Sequence, residues 1–172
     1  LEATLPERRP ALAVARYKAD GESADYVMVR FTPDLDWKKV KQQRGDVVVV
    51  VDTSAAGDEA SRQLKTATAE AILRALSDDD RFALVALDVR PTVLHPKEGM
   101  ASASEGEIAK ALEALARHAA GGATDIASMF DVSLQRLHGA EQPALIYVGD
   151  GVATSGEMSG EQIVERLRRA LG

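Results

Sequence analysis

Five consecutive valines occupy positions 47–51, between Asp46 and Asp52. An amphipathic surface element would place polar residues among them. The run therefore predicts a strand buried on both faces, as at the centre of a parallel sheet. It ends in Asp52-Thr53-Ser54-Ala55-Ala56: a carboxylate, a hydroxyl pair and small residues. In open α/β sheets ligands bind beyond the carboxyl ends of the strands. Asp52, Thr53 and Ser54 thus stand at a candidate ligand rim, and Ala56 has no oxygen to offer.

Beyond this rim the pattern alternates. A helix is predicted over 58–76, with Leu64, Ala67, Ala71, Ile72, Ala75 and Leu76 on one face. Asp78-Asp79-Asp80 closes it and reads as a solvated turn, since it lacks the ligand spacing and turn glycine of a calcium loop. A second strand spans 81–88. Residues 90–95 form a short edge strand, where Pro91 and Pro96 are tolerable. Ser104 and Glu107 make a capping box that opens a helix through Arg117, with Ile108, Ala111, Leu112 and Leu115 inward. Gly121-Gly122-Ala123-Thr124 is a tight loop. The next helix, 125–137, carries Ile126, Met129, Phe130, Leu134 and Leu137 as a core stripe. A third buried strand, 144–148, ends at Gly149-Asp150-Gly151, and Ser159 with Gln162 caps a helix over 159–171. Strands alternating with helices predict an α/β, doubly wound, mostly parallel sheet with right-handed crossovers.

Residues 1–45 differ. Residues 1–10 are polar, with Pro6 and Pro10, and read as an entering linker. Two strand-like runs, Leu12–Tyr17 and 25–32, flank Asp20-Gly21. They predict either a hairpin or one edge strand with an extended lead-in. Residues 33–45 form a polar connector in which Trp37 is a packing anchor. The expected division is 1–45 as linker and strand segment, and 46–172 as the main domain.

Composition narrows the function. The 172 residues suit one domain with a sizeable core and a small appendage. Hydrophobic content of 45% and charged content of 28% are those of a soluble globular protein. The net charge of −6 and the lack of a basic block argue against nucleic acid as a partner. Arg166, Arg168 and Arg169 fall in a last helical turn, where the helix dipole favours them. The absence of Cys excludes a disulfide framework, a thiol nucleophile and a Cys-based zinc site. His95, His118 and His138 lack ligand spacing and read as surface or helix-end residues. No apolar stretch reaches membrane-span length, and the polar start at Leu1, with neither signal peptide nor Met, reads as that of an excised fragment. A P-loop, a G-x-G-x-x-G and a G-x-S-x-G are all missing. An Asp after a buried strand also occurs in phosphoryl-transfer enzymes, but their second carboxylate is here Ser54, and no His lies in the three loops.

If the strands ending at Asp52 and Asp150 are neighbours, Asp52, Ser54, Thr124 and Asp150 converge on one rim. Such hard oxygen donors suit Mg²⁺, Mn²⁺ or Ca²⁺ rather than zinc. The bland alternative is an empty rim, where Asp52 and Ser54 merely cap the loop and the following helix. Val-Val-Asp52-Thr53-Ser54-Ala55-Ala56, Gly121-Gly122-Ala123-Thr124-Asp125-Ile126 and Gly149-Asp150-Gly151 resemble the three loops of a von Willebrand factor A domain. The resemblance covers about 46–171 and includes Asp80-Arg81-Phe82. Residues 25–33, ending in Thr32-Pro33, also resemble the join between a vault (VIT) domain and its A domain in relatives of the inter-alpha-trypsin inhibitor heavy chains.

That resemblance implies a metal-ion-dependent adhesion site. Ser54 and Thr124 match direct hydroxyl ligands, whereas Asp52 and Asp150 match carboxylates acting through water. Ala56 falls where a second Ser is expected, Gly57 where Met is usual, and Gly149 where Thr precedes the last Asp. Asp125 reads as the N-cap or first-turn acid of its helix rather than a ligand. The implied function is protein–protein adhesion, with the carboxylate of a partner's acidic side chain completing the ion's coordination. The alternative is a metal-free scaffold domain within a longer protein. The resemblance alone favours an extracellular, periplasmic or envelope setting, and it implies one further strand and helix after 171.

Overall fold

The valine run forms β3 (Asp46–Asp52), buried along its whole length. In this computed structural model, residues 12–17, 26–31, 43–55, 58–119, 121–156 and 159–171 are described. Pro6, Pro10, Asp20-Gly21, Pro33, Trp37, Ala56 and Gly57 lie outside them. The chain divides into two units, Leu1–Gln42 and Gln43–Gly172. In the first, β1 (Leu12–Tyr17) and β2 (Tyr26–Phe31) pair antiparallel, Leu12 opposite Phe31 and Tyr17 opposite Tyr26.

In the second unit β3 is flanked on both sides by parallel strands, β4 (Arg81–Leu87) and β7 (Pro143–Val148). Two antiparallel strands, β5 (Pro91–His95) and the short β6 (Ala101–Ser102), border the other side of β4. The main path is β5-β4-β3-β7. Side chains alternate across a strand, so the valines divide between two cores. Val47, Val49 and Val51 join Ala69 and Leu73 of α1 (Glu59–Arg74) and Ile108, Ala111 and Leu115 of α2 (Glu105–Arg117). Val48 and Val50 join Met129 and Leu137 of α3 (Ile126–Leu137). Each fully buried valine or leucine is worth about 1.5–3 kcal/mol relative to exposure. A final helix, α4 (Gly160–Leu171), is tied to α3 by the Arg166–Asp131 ion pair. The result is the doubly wound sheet with helices on both faces that the alternation predicts. No helix among the described residues is long and apolar enough to cross a membrane.

Five details differ from the sequence reading. The strand β7 is half-buried before Val148 rather than fully buried, since it lies at the edge of the sheet. The buried face of α1 runs through Ala69 and Leu73, with Ile72 and Leu76 beside it, while Leu64 is 69% exposed. Asp80 is not simply solvated. Its carboxylate accepts the backbone N–H of Gly45 at 2.7 Å and of Ser77 at 2.8 Å, which locks the turn before β4 to the start of β3. Ser104 is the N-cap residue of α2, but its side chain makes no capping bond. Instead it accepts the Ser102 hydroxyl at 3.3 Å, and Glu107 is drawn away to His95 and Lys110. The strand β6 was not expected, because a two-residue strand carries no periodicity to read.

The opposite end of the sheet from the rim is closed electrostatically. Arg81 Nε and Nη2 each donate to Asp46 at 2.7 Å, a bidentate fork of matched geometry. This bond, with a smaller contribution from nearby positive charge opposed by burial, lowers the Asp46 pKa.

Candidate metal centre

The registers bring three strand ends together. Val51 stands opposite both Ala86 and Val148, so Asp52, Leu87 and Gly149 are level at the end of the sheet and Asp88 follows at once. Asp52 is 2% exposed. Its Oδ1 accepts the Ser54 N–H at 2.9 Å and the Thr124 hydroxyl at 3.4 Å. Its Oδ2 lies 3.3 Å from the Lys65 ammonium. Ser54 is fully buried, and its Oγ has no hydrogen-bond partner.

Backbone bonds lace the loops around these oxygens. Thr53 N–H donates to Leu87 O at 2.8 Å, and Gly121 N–H to Thr53 O at 3.1 Å. Ala55 N–H bonds to Gly121 O, and Ser54 bridges Gly121 in a parallel sense. Asp125 N–H donates to Asp88 O at 3.0 Å, and the Asp125 carboxylate caps α3 by accepting Ser128 N–H at 3.1 Å. Thr124 is bound to the third loop in both directions. Its N–H donates to Thr154 Oγ1 at 2.8 Å, and its carbonyl accepts from Thr154 N–H and Ser155 N–H. Gly121 is required by close approach: a Cβ there would stand 2.3 Å from Asp88 Cβ. Asp88 in turn faces His118 Nε2 at 3.2 Å, at the end of α2.

Of the expected residues, the structure joins Asp52, Ser54 and Thr124 directly. Asp150 is not joined to them by a hydrogen bond or ion pair. It is exposed, and its Oδ1 accepts Val152 N–H at 2.9 Å. It sits at the neighbouring strand end, on the same rim. Tyr147, near the end of β7 before Gly149, feels both carboxylates; the sequence reading treated it only as part of a strand. Burial and the negative charges of Asp52 and Asp150 push its phenol pKa up to about 12. The Gly151 N–H, directed at the buried hydroxyl, opposes this in part. A Cβ on Gly149 would lie 2.2 Å from that hydroxyl and 2.8 Å from Asp52 Cβ.

Lys65 is the second residue missed. It stands one turn before Ala69 and two before Leu73, on the buried face of α1, with side-chain exposure of 12% against 1% for Asp52. The spacing from Ala69 and Leu73 was the available signal, since a lysine in a core stripe needs a buried partner.

Among the described residues, the buried hydroxyls of Ser54 and Ser155, both at this end of the sheet, have no hydrogen-bond partner. Buried hydroxyls are normally bonded, so these two oxygens are available to a ligand. The donor set is all oxygen and fits a hard divalent ion. No group of three or more His, Cys, Asp or Glu suited to a metal occurs among the described residues, so any ion must rely on the hydroxyls.

The fold and rim define a class: a doubly wound α/β domain with its polar site at the carboxyl end of the central strand. Residues 45–172 match the von Willebrand factor type A domain, and the chain belongs to that family. No curated protein matches the chain. Among solved structures, it resembles a von Willebrand factor type A protein from Catenulispora acidiphila, with TM-score 0.60 and 21% identity over 86% of this chain and 32% of that one. It also resembles the three N-terminal domains of the type V pili tip protein Mfa5 from Porphyromonas gingivalis, with TM-score 0.55 and 17% identity over 86% and 28%. A third is proximal thread matrix protein 1 from the mussel byssus with a zinc-occupied MIDAS motif, with TM-score 0.52 and 22% identity over 73% and 33%. These likenesses show the fold. The chain spans about a third of the length of each of these proteins.

Proposed function

We propose that this domain is a protein-binding module whose rim holds a divalent ion for a partner's carboxylate. The observation that carries the reading is the buried, unbonded Ser54 hydroxyl, set beside Asp52 and Thr124 at the end of the central strand. Ser54 and Thr124 are the residues to hold an ion directly, with Asp52 and Asp150 acting through its waters. A bound Mg²⁺ or Mn²⁺ would supply positive charge and an open coordination position for an Asp or Glu of the partner. Ala56 removes one hydroxyl from the expected set, so affinity for the ion is weak. The zinc-occupied site of the mussel protein supports ion binding at such a rim. Likeness of fold to the pilus adhesin SpaC from Lactobacillus rhamnosus GG supports an adhesive role. Ser54 Oγ has no base bonded to it, which does not support a nucleophile. By resemblance, residues 1–45 are the end of a preceding VIT domain in a longer protein.

One observation favours a second reading, a metal-free scaffold domain: Asp52 is already paired with Lys65. A library of immobilised Asp- and Glu-containing peptides separates the two. The first reading expects capture in Mn²⁺, release by EDTA, and no capture by the Asn and Gln counterparts. Capture indifferent to EDTA would overturn it.

A further inference from the structure

An ion pair at 3.3 Å between side chains exposed by 12% and 1% is costly to form and more costly to break on one side. Removing Lys65 would leave the Asp52 charge buried and unmatched. Oδ1 of Asp52 is already satisfied by Ser54 N–H and Thr124 Oγ1, so Oδ2 is the oxygen with capacity for a cation, and Lys65 occupies it. The lysine reaches it because α1 starts at Glu59, capped by Asp58, and sets Lys65, Ala69 and Leu73 in line over the sheet. A cavity of about 250 Å³ adjoins the pair between α1 and α2, lined by Asp52, Thr53, Arg62, Lys65 and His118 among others.

We propose that Lys65 is the resident counter-ion of the rim: its ammonium neutralises Asp52 in the ion-free domain and competes with a divalent cation for that carboxylate. An ion held by Ser54 and Thr124, with its waters on Asp52, shares that carboxylate's charge with the ammonium or displaces it from Oδ2, and the adjoining cavity gives the ammonium room to withdraw. The tethered charge has two consequences. The rim keeps its folded arrangement without an ion, and the ion's affinity is reduced by repulsion and by the loss of the Asp52–Lys65 pair. This inference rests on the ion reading of the rim. It names Lys65, beside the absent hydroxyl at Ala56, as a residue that sets ion affinity.

The test uses the whole chain as wild type, Lys65→Met, Lys65→Arg, Asp52→Asn/Lys65→Met and Ala56→Ser. Two quantities are read: the melting temperature in EDTA, and Mn²⁺ affinity by calorimetry. Lys65→Met should melt several degrees lower in EDTA, and the added Asp52→Asn should restore most of that loss. Lys65→Met should bind Mn²⁺ at least about tenfold more tightly than wild type, because a unit charge beside the ion is gone. Lys65→Arg should stay near wild type in both. Lys65→Gln replaces the Met variant if that fails to fold, with the same expected gain. Mn²⁺ binding by wild type or Ala56→Ser, with no gain on neutralising Lys65, overturns this inference alone. No binding by any variant overturns the ion reading, and the inference falls with it.

Discussion

The Tyr147 hydroxyl fills the space that a side chain at position 149 would need, its oxygen 2.2 Å from the point where a Gly149 Cβ would be. Gly149 and Tyr147 are therefore coupled across a bend at the end of β7. This explains why glycine stands where the family resemblance leads one to expect Thr. Gly149→Ala should destabilise by about 1–3 kcal/mol, the usual cost of overpacking. Tyr147→Leu shortens the opposing side chain and should recover part of that loss in the double variant. Recovery is only partial because Asp52 Cβ would still be 2.8 Å away. Urea unfolding of the four proteins measures the coupling. Strictly additive losses would show that the two residues do not share this space.

Ser54→Ala should have opposite effects on folding and on binding. The Ser54 hydroxyl is buried and has no hydrogen-bond partner in the protein. Its removal in EDTA should leave stability unchanged or raise it by up to about 1 kcal/mol, since an unsatisfied buried polar group is lost. Mn²⁺ affinity of the same variant should fall by about tenfold or more, as a direct oxygen is removed. A large loss of stability in EDTA would show that Ser54 is structural.

Acid should weaken the domain through the end of the sheet remote from the rim. The Arg81 hydrogen bond holds Asp46 below its ordinary value of 3.8. Burial raises Asp80, but the Gly45 and Ser77 N–H bonds outweigh it and its pKa is also lowered. A carboxylate with a depressed folded pKa contributes stability that is complete above its unfolded pKa. That contribution is lost as pH falls through the folded one. Stability should therefore decline as pH drops below about 4, where the unfolded chain binds more protons. Asp46→Asn should be less stable at pH 7 by about 1–2 kcal/mol and should decline less steeply in acid. Chemical denaturation across pH 2–7 checks both; an unchanged slope in the variant would refute the assignment.

The central strand was legible because five adjacent β-branched residues admit one placement, between two covered faces. The rim followed from it, since a polar ending on a buried strand must lie at the sheet's edge. Asp52, Ser54 and Thr124 were recovered as one cluster for that reason. The α1 face was misread because the helix is rich in alanine, and several columns satisfy a helical period equally well. Leu64 drew the stripe one residue away from Lys65, and so hid the buried ion pair. Tyr147 escaped notice because its role depends on the strand register and on the missing side chain at Gly149. Gly149 is visible along the sequence, but the register that sets it against the Tyr147 hydroxyl is not. The Ser104–Glu107 box failed because Glu107 finds His95 across the fold at 2.7 Å, a tertiary partner that local spacing cannot anticipate.

The most direct test of the account is a calorimetric titration of wild type and Ala56→Ser with Mn²⁺ and Mg²⁺. An incomplete oxygen rim predicts weak binding by wild type and binding about tenfold or more tighter once a hydroxyl stands at position 56. Equal affinities, or no heat of binding from either protein, would contradict it.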